Sequence, residues 1–189
     1  MNASAFIKSE DLEQEYAIIQ ASISNPEYFG PLYEKYYKSI FRFLYQRLNS
    51  KDQAHDLTAN VFIKALTNLK QYEYRGKPFI SWLYRIAYNE LMQFFRQKKA
   101  QRIINADIQD LRFIQEEAEI VYFEEFIPHI QHLITALHAE ELSLLEMRYF
   151  ERRPYKEIAE ILEITEVNAK VKMHRIIEKL KLQLHQKKK

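Results

Sequence analysis

The chain has 189 residues, 28 Lys plus Arg against 26 Asp plus Glu for a net charge of +2, two glycines and no cysteine. Gly30 and Gly76 alone cannot build a P-loop, a dinucleotide fingerprint or the many tight turns of a β-sandwich, and the missing cysteines exclude disulfides, Cys-ligated zinc and thiol chemistry. The residues are 47% apolar, enough for real cores, yet no apolar run approaches the ~18 residues of a membrane span and MNASAFIKSEDLEQEY lacks the apolar centre of a secretion signal, so the expectation is a soluble, intracellular, mainly helical protein.

The first predicted helix opens at Asn25, a capping residue, with Pro26 at its first position. Along EYFGPLYEKYYKSIFRFLYQRL, residues Phe29, Leu32, Tyr36, Ile40, Phe43 and Leu44 form one apolar stripe. A second helix starts after Ser50 and runs to about Leu69, with Ala54, Leu57, Val61, Phe62 and Leu66 on its buried side. QYEYRGKP is a loop. A third helix begins near Pro78, holds FISWLYRIAYNELMQFFRQKK, and ends in cations that suit a helix C-terminus.

Residues 100–120 lose this periodicity, turn acidic and read as a linker, either irregular or partly helical. Helices resume at about Tyr122, with Ile127, Ile130, Ile134 and Leu137 in one stripe. Leu142, Leu145, Met147 and Tyr149 belong to the next helix, which stops at Glu151-Arg152-Arg153. Pro154 opens PYKEIAEIL, and the turn Glu163-Ile164-Thr165 leads to a last helix ending in a basic tail. The fold class is therefore all-α: two small helical domains joined by a linker, the second containing a helix-turn-helix. In that motif Ala159 marks a close crossing, Ile164 plugs the turn and Thr165 caps the second helix. Glu163 stands where a left-handed backbone favours glycine. Ala169, Met173, Ile176 and Leu180 fall on one face of the last helix, so Val167, Val171 and His174 face outward, with Lys170 and Arg175 at the edges. Such a face fits a DNA major groove, while Lys172 and Lys187–Lys189 suit phosphates. A plain helical hairpin with a basic surface reads the same way.

Charge is unevenly spread. Residues 1–83 carry a net +1, 84–102 carry +4, 103–125 carry −6 and 126–189 carry +3. This fits either ordinary solvated faces or two polyanion-binding modules joined by an acidic connector. Tyr72, Tyr74, Phe79, Trp82, Tyr84, Tyr88, Phe94 and Phe95 are interleaved with Arg75, Lys77, Arg85, Arg96, Lys98 and Lys99. Rings to stack on bases and cations for the backbone are what single-stranded nucleic acid requires. The helical spacing of Phe79, Trp82 and Ile86 favours a core position for those three; Tyr74, Arg75 and Gly76 in the loop are harder to explain as core.

These strings resemble the sigma-70 family of RNA polymerase sigma factors, in its extracytoplasmic-function (ECF) group. FGPLYEKYYKSIFRFLYQRL, AHDLTANVFIKAL and FISWLYRIAYNELMQFFRQKK are similar to the family's domain 2, and ALHAEELSLLEMRYFERRPYKEIAEILEITEVNAKVKMHRIIEKL to its domain 4. The resemblance implies domain 2 over 1–100, an acidic linker over 101–121 and domain 4 over 122–189. It implies a transcription initiation factor that binds core RNA polymerase, recognises −35 duplex and melts and reads the −10 element. Asp56, Leu57, Thr58, Val61 and Phe62 match the segment that binds the β′ clamp helices, with His55 and Ala59 replacing a usual acid and Gln. Tyr74, Arg75, Gly76, Trp82, Arg85 and Asn89 match −10 pocket and channel positions, with Arg96 beside them; Gln93 replaces a common acid. Lys170, Val171, His174 and Arg175, with Lys172, match the −35 surface. Domain 4 would meet the polymerase β subunit, and the acidic linker would either mimic RNA in a polymerase channel or serve as a tether.

Further implied are a membrane-anchored or free anti-sigma factor as partner, no small-molecule substrate, no direct membrane contact, and a cytoplasmic location that is nucleoid-associated when active. No cofactor is expected: His129, His132 and His138 lack surrounding carboxylates in a metal motif, and no nucleophile elbow or HExxH string occurs, so the chain reads as a non-enzyme. Two rival functions fit parts of the sequence. One is a helix-turn-helix regulator acting without polymerase; the other is a sigma mimic that sequesters an anti-sigma factor.

Overall fold

A computed structural model describes residues 9–48, 50–74, 78–98, 111, 112, 114, 116, 132–134 and 136–186. The chain divides into two compact units, Met1–Gln101 and Arg102–Lys189, and the described residues are helical with no strand.

Unit 1 opens with a helix that the sequence reading left unassigned, α1 (Ser9–Ser24). Its buried positions are Glu15, Ile19 and Ser22, spaced four and three apart along one face. Asn25 then accepts a hydrogen bond from the Glu27 N–H through its side chain, and Pro26 opens a 3₁₀ turn (Pro26–Phe29) that runs into α2 (Gly30–Leu48). Phe29, Leu32, Tyr36, Ile40, Phe43 and Leu44 are all buried, as the spacing required. Arg47 is buried as well, donating to the Phe43 carbonyl at 2.8 Å with its guanidinium 3.8 Å from the Phe43 ring centre.

Ser50 caps α3 (Lys51–Thr67) by accepting from the Gln53 N–H. Ala54, Leu57, Val61 and Phe62 are buried; Leu66 is only half-buried and Ala65 takes the fully covered position. After a 3₁₀ turn (Leu69–Gln71), α4 (Phe79–Lys98) buries Phe79, Leu83, Ala87, Leu91 and Phe94. Helices α2, α3 and α4 pack on one another.

Glu15 ties α1 to this group. Its carboxylate is 5% exposed. It accepts from the Tyr36 hydroxyl, from Lys35 Nζ at 2.9 Å and from the Phe79 backbone N–H at 2.8 Å. Phe79 is the first residue of α4, so an acid of α1 satisfies an N–H that the helix itself cannot. Burial, and then the Glu15 carboxylate beside it, push the Tyr36 phenol far above its ordinary range, which keeps it a donor.

In unit 2, Leu111 and Ile114 have helical backbone, as a partly helical linker allows, but they are buried and so belong to a core rather than to a solvated connector. Arg112 and Glu116 of this segment are exposed; the other residues of 101–121, the Ile127 and Ile130 stripe positions, and His129 lie outside the described residues. Ile134 and Leu137 are buried. Helix α5 (Ala139–Leu145) is capped by Glu141, which accepts from the His138 N–H at 3.1 Å and from Lys179 of the last helix at 2.8 Å. Burial pushes the Glu141 carboxyl up, but those two donors outweigh it and hold the group below its usual value. A wider π-type turn (Glu146–Phe150) extends α5, and Leu142, Leu145, Met147 and Tyr149 are buried.

The chain reverses at Arg152, whose φ is 59°, and the Arg153 N–H bonds back to the Met147 carbonyl at 2.9 Å. Helix α6 (Tyr155–Leu162) follows Pro154 and ends at Glu163, in the left-handed region with φ 57° and ψ 39°. The Ile164 N–H returns to the Ala159 carbonyl at 3.0 Å, and Thr165 Oγ1 accepts from the Asn168 N–H at 3.1 Å to cap α7 (Glu166–Gln186). Ile164 is half-buried, so it seals the turn from one side only. Ala159 is buried where α6 packs on α7, and Ala169, Met173, Ile176, Ile177 and Leu180 form the covered face of α7.

A left-handed backbone costs a side-chain-bearing residue about 1–2 kcal/mol, partly offset by the greater unfolded-state freedom of glycine. Glu163→Gly is therefore expected to stabilise unit 2 by about 0.5–1 kcal/mol, read as a rise of a few degrees in its thermal midpoint. A fall would show that the Glu163 side chain contributes more than its backbone strain costs.

Candidate nucleic-acid and polymerase interfaces

In unit 1 the residues around the start of α4 form an aromatic cluster. Tyr72 lies 5.2 Å from the ring centres of both Phe79 and Trp82, and Phe79 lies 5.3 Å from Trp82. Phe79 is fully buried, whereas Trp82 and Ile86 are only half-buried, so the core assignment holds for the first and not for the other two. Burial, and after it the charge of Glu15, push the Tyr72 phenol up to about 12. Tyr74 is 36% exposed and stacks on Tyr16 of α1, with ring centres 4.7 Å apart and planes at 29°. Arg75 and Gly76 lie outside the described residues.

Trp82, Arg85, Asn89 and Arg96 run along α4 at spacings of three, four and seven, which is one helical face. Exposure grows along it, from half-buried Trp82 and Arg85 to exposed Asn89, Gln93 and Arg96. Half-covered rings at one end can stack on bases. An amide further along can donate to and accept from a base edge.

The expected polymerase-binding set separates into two layers. Asp56 is exposed on α3, but Leu57, Thr58, Val61 and Phe62 are buried within unit 1. Thr58 Oγ1 donates to the Ala54 carbonyl at 2.6 Å. Beside Asp56 the surface is aromatic. Tyr33, Tyr37, Phe41 and Tyr45 stand one turn apart on α2, with successive ring centres 5.2, 6.1 and 5.6 Å apart. His55, next to Asp56, lies 4.4 Å from the Phe41 ring centre, and its Nδ1 is 2.6 Å from the Tyr37 hydroxyl. Sequence reasoning missed this row, although the strict four-residue spacing of the aromatics was its signal.

In unit 2 the outer face of α7 carries Val167, Lys170, Val171 and His174, with Lys172 and Arg175 flanking it, all exposed. Val167 is 70% exposed. Lys170 pairs with Glu166 one turn earlier at 2.7 Å and lies 5.9 Å from the Tyr155 ring centre. Arg148 covers the same ring at 4.5 Å. Glu166 and Arg148 were not among the residues expected on this surface. A helix that exposes small apolar groups beside cations can meet thymine methyls and guanine edges in a major groove. Among the described residues no group of His, Cys, Asp and Glu is set to hold a metal ion, and no helix is long and apolar enough to cross a membrane.

Comparison with known proteins agrees with this layout. Residues 32–101 match the family described as Sigma-70 region 2, and residues 129–180 match Sigma-70, region 4; α1 precedes both. The RNA polymerase sigma factor YlaC of Bacillus subtilis is 30% identical over 136 residues, covering 69% of this chain and 77% of YlaC. The ECF RNA polymerase sigma factor SigW of the same organism is 26% identical over 178 residues, covering 88% and 94%. The ECF RNA polymerase sigma factor BldN of Streptomyces coelicolor is 23% identical over 163 residues, and the match spans 85% of this chain but 62% of BldN. Among solved structures, a chain of the RsbN–BldN complex is similar at 21% identity and a TM-score of 0.38, covering 86% of this chain and 96% of that one. Two sigma regions in order, on two helical units, with relatives that are themselves sigma factors, place this chain in the sigma-70 family of RNA polymerase sigma factors, in the ECF group.

Proposed function

We propose that this sigma factor divides promoter recognition between its two units. The observation that supports this most directly is the pairing of two different surfaces: half-covered aromatics leading into a polar stripe on α4, and an outward basic-apolar face on a helix-turn-helix. The first suits unpaired bases, the second intact duplex. Unit 1 melts and reads the −10 element through Tyr74, Trp82, Arg85, Asn89 and Arg96, with Arg75 and Gly76 of the intervening loop. Unit 2 reads the −35 element through Lys170, Val171, His174 and Arg175, while Lys172 holds phosphate.

Core RNA polymerase is the partner, engaged through its β′ clamp helices by unit 1 and through its β subunit by unit 2. Asp56 makes the clamp contact from the surface, and Leu57, Thr58, Val61 and Phe62 fix its helix from beneath. RNA synthesis belongs to the polymerase, so the chain acts without chemistry of its own. A dedicated anti-sigma factor controls it in the cytoplasm, and it joins the nucleoid when released.

In vitro transcription with core polymerase on a pool of genomic fragments, followed by mapping of start sites, tests this reading. Transcripts sharing −35 and −10 elements are expected. No promoter-dependent RNA would overturn it and leave the regulator or the sequestering mimic. Asp56→Ala is expected to weaken core binding about five- to tenfold, as for loss of one interfacial charge pair, with unchanged helical content by circular dichroism. Unaltered core affinity would remove Asp56 from the interface.

A further inference from the structure

Helix α1 lies outside the Sigma-70 region 2 match, which begins at residue 32, yet it is fastened at two adjacent residues to both sides of the proposed −10 loop. On one side, Glu15 accepts from the Phe79 N–H at the head of α4 and from Tyr36 of α2. On the other, Tyr16 stacks on Tyr74. Stacked rings have centres about 4.5–7 Å apart, so 4.7 Å between Tyr16 and Tyr74 is a single stacking step with no space for a base between them. Tyr16 therefore covers one face of the Tyr74 ring. Tyr74 as a whole residue keeps 36% exposure.

We infer that Tyr16 is a positioning residue for promoter opening: it backs the Tyr74 ring and holds its free face ready for an unstacked base. A lone tyrosine in a loop would have to be ordered when the base arrives, and that ordering weakens capture; a ring already stacked has lost the freedom beforehand. Glu15 fixes the height of Tyr16 by anchoring the preceding residue to the start of α4. The inference rests on the reading of Tyr74 as a −10 contact.

The test uses holoenzyme reconstituted from core polymerase and the full chain, on a promoter recovered from the fragment pool. Open complex is read by permanganate reactivity of −10 thymines, and closed complex by mobility shift at low temperature. Tyr16→Ala and Tyr16→Leu are both expected to reduce opening about three- to tenfold, with core binding and closed complex unchanged, because leucine restores bulk but not a ring face. Tyr16→Phe is expected to open like the wild type. In a Tyr74→Ala background, Tyr16→Ala should add little further loss, since the ring it supports is gone.

Normal opening by Tyr16→Leu, or full additivity with Tyr74→Ala, would overturn the inference. So would equal loss of closed and open complex, which marks a residue needed only for folding. Tyr74→Ala alone separates the two levels of the argument. If it impairs opening while Tyr16→Leu does not, only the role of Tyr16 fails. If Tyr74→Ala itself opens normally, the −10 reading of that loop fails and the role of Tyr16 with it.

Discussion

Replacing Glu15 with alanine is expected to destabilise unit 1 by about 3–5 kcal/mol, the largest effect of any single truncation considered for it. The reason is the fate of the donors. The Tyr36 hydroxyl and the Phe79 N–H both end on a carboxylate that is almost fully buried. Each orphaned buried donor costs about 1–3 kcal/mol, more where the lost acceptor was charged. Lys35 contributes little, because its side chain is half exposed and regains water. At about 4–8 °C per kcal/mol for a domain of this size, the thermal midpoint of unit 1 should fall by about 12–40 °C. Glu15→Gln keeps the shape and one carbonyl acceptor, so its loss should be less than half as large. A midpoint for Glu15→Ala within a few degrees of the wild type would mean that water replaces the carboxylate at both donors, and that α1 is not anchored as described.

The same residue explains why α1 was invisible in the sequence. Periodicity detects helices through apolar residues, and the buried stripe of α1 is Glu15, Ile19 and Ser22. Two of its three positions are polar. What makes Glu15 a core residue is a backbone N–H 64 positions away, and no local pattern encodes that. Arg47 is a second case, buried by its stacking on Phe43 and its bond to the Phe43 carbonyl rather than by hydropathy. By contrast α2, α3 and α7 bury ordinary apolar residues at helical spacing, and most of their stripes were legible, down to the helix start after Ser50, the Thr165 cap and the left-handed position of Glu163.

For the site, family resemblance and geometry carry different information. Matching a motif marks Leu57, Thr58, Val61 and Phe62 together with Asp56, but a motif cannot tell a residue that touches a partner from one that shapes the helix beneath it. Burial divides them, leaving Asp56 on the surface beside His55 and the aromatic row of α2. On α7 the outward face could be derived as the complement of a buried stripe, because both faces belong to one helix with one period. The Tyr16–Tyr74 stack could not, because it joins a helix to a loop 58 positions later, a pairing set by the way α1 folds back.

On the proposed reading, Lys170→Ala and Arg175→Ala should each weaken −35 binding by about 1–3 kcal/mol where a base contact is lost, roughly 5- to 150-fold, and by less for a phosphate contact. The two are not equivalent. Lys170 already holds Glu166 at 2.7 Å on an exposed surface, a pair worth about 0–1 kcal/mol, so binding must exchange one partner for another and the net loss on truncation is reduced. Glu166→Ala frees that ammonium and should tighten binding to any duplex, unless the carboxylate itself accepts from a cytosine amine in the groove. Measuring holoenzyme affinity for a −35 duplex at several salt concentrations separates the roles. Loss of a phosphate contact lowers the salt slope by about one and weakens all sequences alike, whereas loss of a base contact relaxes preference at one position. Unchanged promoter use in both Lys170→Ala and Arg175→Ala would remove this face of α7 from the groove. The exposed valines Val167 and Val171 would then be the surface left to explain, since none of the described residues of unit 2 covers them and a solvated helix has no need of them there.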